Sequence, residues 1–202
     1  MTWVKVCGLT RESDIVAAVD SGADALGFVL APGSPRQIST ERAAGLMEGV
    51  PALRILLTVG ASLEDTAEVV AATAPDGLQP YGDHAGEVAA WGQANGFLVL
   101  HPLRRDAFGS WGVGNVPDGQ IPLLDSATDA QLGGTGIALD WDVVQRPERR
   151  FVLAGGLDPS NVATAVAALR PWGVDASSGL ESAPGVKDPA RVAAFVEEAK
   201  RQ

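Results

Sequence analysis

Cys7 is the single thiol in a chain of 202 residues, and it closes the first apolar run, "WVKVC", just before a glycine. A thiolate held at the mouth of a cavity can act as a base or nucleophile, although a lone cysteine can equally be a small core hydrophobe. Asp125 ends a later apolar run, "IPLLDS", and a carboxyl there could move a proton or cap a loop. Arg36 in "APGSPRQIS" could grip an anion or stand solvated on a loop. The segments "VLAGGL" and "VDASSGLE" place Gly155, Gly156, Ser178 and Gly179 after two further apolar runs. Backbone amides in such loops, aimed by helix N-termini, can take up a phosphate without any cationic side chain.

Other chemistries lack their residues. The chain holds only two histidines, His84 and His101, and no His/Cys/Asp cluster has metal-ligand spacing. No Gly-x-x-x-x-Gly-Lys-Ser/Thr loop and no serine elbow occurs. The formal net charge of −10 argues against nucleic acid or an anionic membrane as partner, but not against a small anion held by local donors. No apolar stretch approaches the ~18 residues of a membrane span. One cysteine makes no internal disulfide, which suits a reducing, cytoplasmic setting. A thiol, a carboxyl, an arginine and amide loops together suggest acid–base work on a phosphorylated sugar, with no cofactor or metal.

The elements that must position these groups follow from the pattern. Strand-like runs span Val4–Gly8, Ala25–Leu30, Arg54–Val59, Gly77–Tyr81, Gly96–Leu100, Ile121–Asp125, Arg150–Ala154 and Gly173–Ser177. Alanine-rich segments with helical spacing alternate with them. "SLEDTAEVVAATA" carries a capping-box pattern at Ser62 and Asp65, and the last helix starts with Asp188 before Pro189. Strands alternating with helices imply a parallel sheet. An open doubly wound sheet would want a Gly-x-Gly-x-x-Gly turn after the first strand, and "CGLTRESD" lacks it. The expectation is therefore an α/β fold, a (β/α)8 TIM barrel, formed as one compact domain over residues 1–202. Residues 104–120 read as loop.

Functional groups of such a barrel sit at the C-terminal strand ends, where Cys7, Asp125 and the glycine loops all fall. Residues two apart on a strand share a face, so Lys5 lies beneath the Cys7 thiol, with Asp175 facing inward from the neighbouring eighth strand. A Lys5–Asp175 ion pair is expected, and the ammonium should lower the thiol pKa.

The stretches "VKVCGLTRESD", "GADALGFVLAPGSPRQIS", "LLDS", "GGTGIALDW", "LAGGLDPSNV" and "VDASSGLESAPGVKDP", in that order, resemble the phosphoribosylanthranilate isomerase family of tryptophan biosynthesis. The resemblance implies a cofactor-independent Amadori rearrangement of N-(5′-phosphoribosyl)anthranilate to 1-(o-carboxyphenylamino)-1-deoxyribulose 5-phosphate. It implies Asp125 as general acid toward the ribose ring oxygen and Cys7, as thiolate, as general base at C2′. Arg36 would hold the anthranilate carboxylate. Gly155, Gly156, Asp175, Ser178 and Gly179 would bind substrate. Gly134, flanked by Gly133 and Gly136, would belong to a loop closing over it.

The family's "QLHG" reads Gln79-Pro80-Tyr81-Gly82 here, and its "GGTGKTFDW" reads "GGTGIALDW". These departures touch the anthranilate side and the closing loop, not the acid–base pair. Two other readings compete. A different phosphosugar barrel, such as indole-glycerol-phosphate synthase, would want inward lysine and glutamate at strand ends, and only Lys5 is available, too deep. A non-catalytic barrel would bind phosphate without turnover.

Overall fold

In the computed structural model, which describes residues 1–104, 111–125 and 146–201, the apolar runs form the strands of a closed barrel. Chain order is β1 (Trp3–Cys7), α1 (Glu12–Asp20), β2 (Ala25–Leu30), α2 (Thr40–Met47), β3 (Leu53–Val59), α3 (Leu63–Thr73), β4 (Gly77–Tyr81), α4 (Ala85–Ala94) and β5 (Leu98–Leu103). It continues with β6 (Ile121–Asp125), β7 (Val152–Ala154), α5 (Val162–Leu169), β8 (Gly173–Ala176), β9 (Glu181–Ala183), β10 (Val186–Lys187) and α6 (Pro189–Lys200). Strands β1 to β8 are hydrogen-bonded in sequence order, all in parallel, and β8 closes on β1. β9 and β10 make a small separate hairpin. Single 3₁₀ turns cover Val113–Asn115 and Ser178–Leu180, so the described part of 104–120 is mostly loop, as expected.

Alternation along the strands divides the side chains between two layers. On β1 and β2, Val4, Val6, Leu26 and Phe28 point outward and pack with Ile15, Met47, Val192 and Phe195 of the surrounding helices. Trp3, Ala25, Ile55, Leu100, Ile121, Leu123 and Val152 fill the lower barrel interior. Trp172 stacks on Trp3 at 4.8 Å between ring centroids, and the Arg150 guanidinium lies 3.3 Å from the Trp172 ring centroid. The N-terminal mouth is thereby plugged with apolar rings, and the polar inward positions are left for the other end.

Local signals account for the helix starts. Ser62 and Asp65 form the reciprocal capping box of α3, and Asp188 accepts from the amides of Ala190 and Arg191 ahead of Pro189 in α6. Such caps satisfy amides that have no partner within the helix. β5 begins two residues later than the pattern suggests and runs on through Pro102. Gly96 takes a φ of +83°, a turn conformation rather than a strand one. β4 registers with β5 only at Gly77 and Leu78, so Pro80 falls where no ladder donor is needed on that side. Among the described residues no helix is long and apolar enough to cross a membrane.

Candidate active site

β1 delivers Lys5 and Cys7 to the barrel interior one above the other, because they stand two apart on one strand. Lys5 is fully buried, and its Nζ donates to Asp175 Oδ2 at 2.8 Å. Strand register makes the pair: Lys5 of β1 lies opposite Asp175 of β8 where the barrel closes. Burial disfavours the ammonium, yet Asp175 and Cys7 together hold the Lys5 pKa above its ordinary value. Burial likewise lifts the Asp175 carboxyl, against the pull of Lys5.

Above this pair sits the Cys7 thiol, 5% exposed and walled by Val29, Ala31, Leu57 and Val59. Lys5 does pull the thiol pKa down, as expected, but it does not decide the net direction. Desolvation by those apolar neighbours pushes the thiol pKa up, and the opposing pull of Lys5 does not offset it. Asp175 adds to the rise, since the ion pair presents a carboxylate as well as an ammonium. The unliganded protein thus holds Cys7 as thiol.

Across the cavity, β6 ends in Asp125, and the Tyr81 hydroxyl donates to its Oδ2 at 3.2 Å, so this departure from the family pattern, expected to spare the acid–base pair, does touch it. Gln79 Nε2 in turn donates to the Tyr81 oxygen at 2.9 Å. Gln79 and Tyr81 share the inward face of β4 by the same two-residue spacing. Burial and the nearby Asp125 keep the tyrosine pKa well above its ordinary value, so it stays a donor. Arg36, from the loop after β2, is 8% exposed; its Nε and Nη2 donate to Glu181 Oε1 and Oε2 at 2.7 and 2.8 Å. Burial pushes Glu181 up, but the Arg36 hydrogen bonds and Lys187 outweigh it and hold the carboxyl below the usual range.

One cavity at the C-terminal mouth is lined by Cys7, Arg36, Tyr81 and Asp125 together with Gly155, Gly156, Asp175 and Ser178. A β-carbon on Gly179 would run into the Leu157 carbonyl, so the loops after β7 and β8 abut at that point. Such a constellation fits one small acidic sugar. A family model, "N-(5′-phosphoribosyl)anthranilate (PRA) isomerase", matches residues 4–198. The chain belongs to this isomerase family. Among relatives, N-(5′-phosphoribosyl)anthranilate isomerase of Geotalea uraniireducens is 40% identical over 209 residues, covering 99% of each chain. The crystal structure of phosphoribosyl anthranilate isomerase from Thermotoga maritima superposes with a TM-score of 0.88 at 32% identity over the whole of both chains. A phosphoribosyl anthranilate isomerase in complex with reduced 1-(o-carboxyphenylamino)-1-deoxyribulose 5-phosphate gives 0.82 at 30% identity, again over both whole chains.

Within this family frame, the structure brings together Cys7, Arg36, Asp125, Gly155, Gly156, Asp175 and Ser178, with Gly179 packed immediately behind. Gly134 and its neighbours Gly133 and Gly136 lie outside the described residues. A single 3₁₀ turn, not an α-helix, follows β8 directly, so amide donors there come from loop and turn. The sequence reading leaves the phosphate to loop amides without a cationic side chain, but a buried lysine stands beside the loop after β8. Lys187 Nζ donates to the Ser177 carbonyl at 3.0 Å and to Glu181 Oε1 at 2.9 Å. Sequence reasoning passed over Gln79 and Arg104 as lining residues and met Tyr81 only as a departure from the family pattern. Gln79 and Tyr81 were findable, since they obey the same alternation that singles out Lys5 and Cys7. No group of three or more His, Cys, Asp or Glu among the described residues could hold a metal ion.

Proposed function

We propose that this cavity carries out the isomerase reaction of the family with Asp125 as acid and Cys7 as base. Asp125 gives its proton to the ribose ring oxygen of N-(5′-phosphoribosyl)anthranilate while the C1′–O bond breaks. The nitrogen lone pair forms the C1′=N bond, leaving a cationic Schiff base and an open chain. That cation lies near the buried Cys7 thiol and favours its anion, the thiol proton leaving to solvent at the cavity mouth, which offsets the upward push from Val29, Ala31, Leu57 and Val59. Cys7 thiolate then takes the C2′ proton, the C–H electrons become the C1′=C2′ bond, and the enolamine so formed tautomerises to the ketone. C1′ is reduced and C2′ oxidised within one molecule, so the step is an intramolecular oxidoreduction that calls for no external cofactor.

Arg36 receives the anthranilate carboxylate, and amides of the loops at Gly155–Gly156 and Ser178–Gly179 receive the phosphate. Asp175 keeps Lys5 in place below the sugar. A biosynthetic enzyme with a free thiol suits the cytoplasm. The observation that carries the assignment is that Cys7 and Asp125, from strands β1 and β6, line one cavity with Arg36 and the glycine turn. The test is turnover of N-(5′-phosphoribosyl)anthranilate by wild type, Cys7→Ala and Asp125→Asn. Loss of a proton-transfer group should lower kcat about 10²–10⁴-fold; wild-type turnover in either variant would overturn the roles.

A further inference from the structure

Arg36 does not stand free at the cavity edge but is built into a clamp. Its stem crosses directly over Gly8, where a β-carbon would come within 2.5 Å of Arg36 Cδ and 2.9 Å of Ser177 Oγ. Gly8 also takes a φ of +77°, so backbone shape and space both call for glycine there. Glu181, whose side chain is 6% exposed, meets the guanidinium side-on through Nε and Nη2. Lys187, wholly buried, fixes the same carboxylate through Oε1 and is itself tied to the Ser177 carbonyl. Lys187 holds its place in turn because its amide donates to Asp14 Oδ2 at 3.1 Å. Glu181 thus bridges Arg36 and Lys187, and Lys187 bridges Glu181 and Ser177.

This wiring spends one edge of the guanidinium, the Nε–Nη2 side, and leaves the Nη1 end. Arg36 Nη1, with two N–H groups, has no protein partner among the described residues, on a side chain nine-tenths buried that lines the cavity. The charges of Arg36, Lys187 and Glu181 leave the cluster with one net positive charge. We infer that Glu181, held by Lys187, is a positioning residue that aims Arg36 Nη1 at the carboxylate of the substrate. The inference rests on the proposed function for the identity of that carboxylate.

Two accounts of Glu181 give opposite signs. If only local charge mattered, Glu181→Gln would add one net positive charge and tighten binding of an acidic ligand. If Glu181 aims the guanidinium, the same change frees Arg36 to swing and weakens binding, because a rigid donor forfeits less on association. The experiment measures KM for N-(5′-phosphoribosyl)anthranilate and, independently of turnover, the Kd of anthranilate by calorimetry. It uses wild type, Glu181→Gln, Glu181→Asp, Arg36→Lys and Arg36→Lys/Glu181→Gln. Glu181→Gln should raise KM and Kd about tenfold with kcat within about threefold, the pattern of lost uniform binding. In the Arg36→Lys background it should add less than about twofold, since residues acting through one another are not additive. Unchanged or tighter binding by Glu181→Gln, or the same factor in both backgrounds, overturns the inference. Glu181→Asp keeps the charge and withdraws the fork by one methylene. It should raise Kd in the same sense, and it decides the matter if Glu181→Gln does not fold. No turnover by wild type, with the anthranilate ranking intact, would count against the proposed function alone.

Discussion

Replacing Lys5 by methionine should destabilise the protein by about 4 kcal/mol at neutral pH and by far less in acid. Lys5 and Asp175 are 0% and 7% exposed at their side chains, joined at 2.8 Å through Oδ2, and the buried Asp175 Oδ1 has no hydrogen-bond partner among the described residues. Methionine fills the lysine stem's volume but leaves a buried carboxylate without its cation, a change that typically removes about 3–5 kcal/mol. The structure also sets a ceiling, because Asp175 can escape by taking a proton. Holding a carboxyl of ordinary pKa 3.8 neutral in the fold at pH 7 requires about 4 kcal/mol, at about 1.4 kcal/mol per pH unit. At pH 5 the ceiling falls below about 2 kcal/mol. The sign follows from burial, which already lifts Asp175 and lifts it further once Lys5 is gone. A carboxyl raised in the fold contributes stability below its unfolded pKa and loses it as pH rises. Urea unfolding of wild type, Lys5→Met and Lys5→Met/Asp175→Asn at pH 7 and pH 5 reads this directly. The double variant, with neither charge, should regain most of the loss. A deficit under about 1 kcal/mol at pH 7, an equal deficit at both pH values, or a double variant no better than the single would refute the reasoning.

Two further outcomes follow from the same geometry. Alkylation of Cys7 by iodoacetamide should titrate above the ordinary thiol range, rising further in Lys5→Met and falling in Asp175→Asn, and a thiol that titrates normally in wild type would contradict the burial account. Gly27→Ala would place a β-carbon 2.6 Å from Cys7 Sγ, so it should displace the sulfur and lower kcat at least tenfold, with about 1–3 kcal/mol of overpacking; unchanged kcat would show that sulfur position is immaterial.

Much of this architecture could be read without coordinates. Alternation on β1 put Lys5 beneath Cys7, and closing eight parallel strands into a ring put Asp175 beside Lys5. Asp188 before Pro189 and Ser62 with Asp65 marked helix starts through purely local chemistry. What escaped depends on elements far apart in sequence. The sign of the thiol shift is set by Val29, Ala31, Leu57 and Val59, which arrive from β2, β3 and the loop after β2, and no local pattern sums their desolvation. The Arg36–Glu181 pair spans 145 residues, and its acidic partner sits at the start of a hairpin whose two short strands carry no clear periodicity. Tyr81 was visible as a departure from the family pattern, but its hydrogen bond to Asp125 requires knowing that β4 and β6 flank β5 and turn their C-terminal ends into one cavity.

The account stands most directly on a crystal structure of this chain with reduced 1-(o-carboxyphenylamino)-1-deoxyribulose 5-phosphate. It predicts Cys7 Sγ about 3.5 Å from C2′, and an Asp125 carboxylate oxygen within about 3.2 Å of the oxygen derived from the ribose ring. The ligand carboxylate should lie on Arg36 Nη1 and the phosphate on the Gly155–Gly156 and Ser178–Gly179 amides. A ligand seated with either Cys7 or Asp125 out of reach of its C1′–C2′ unit and ring oxygen would contradict it.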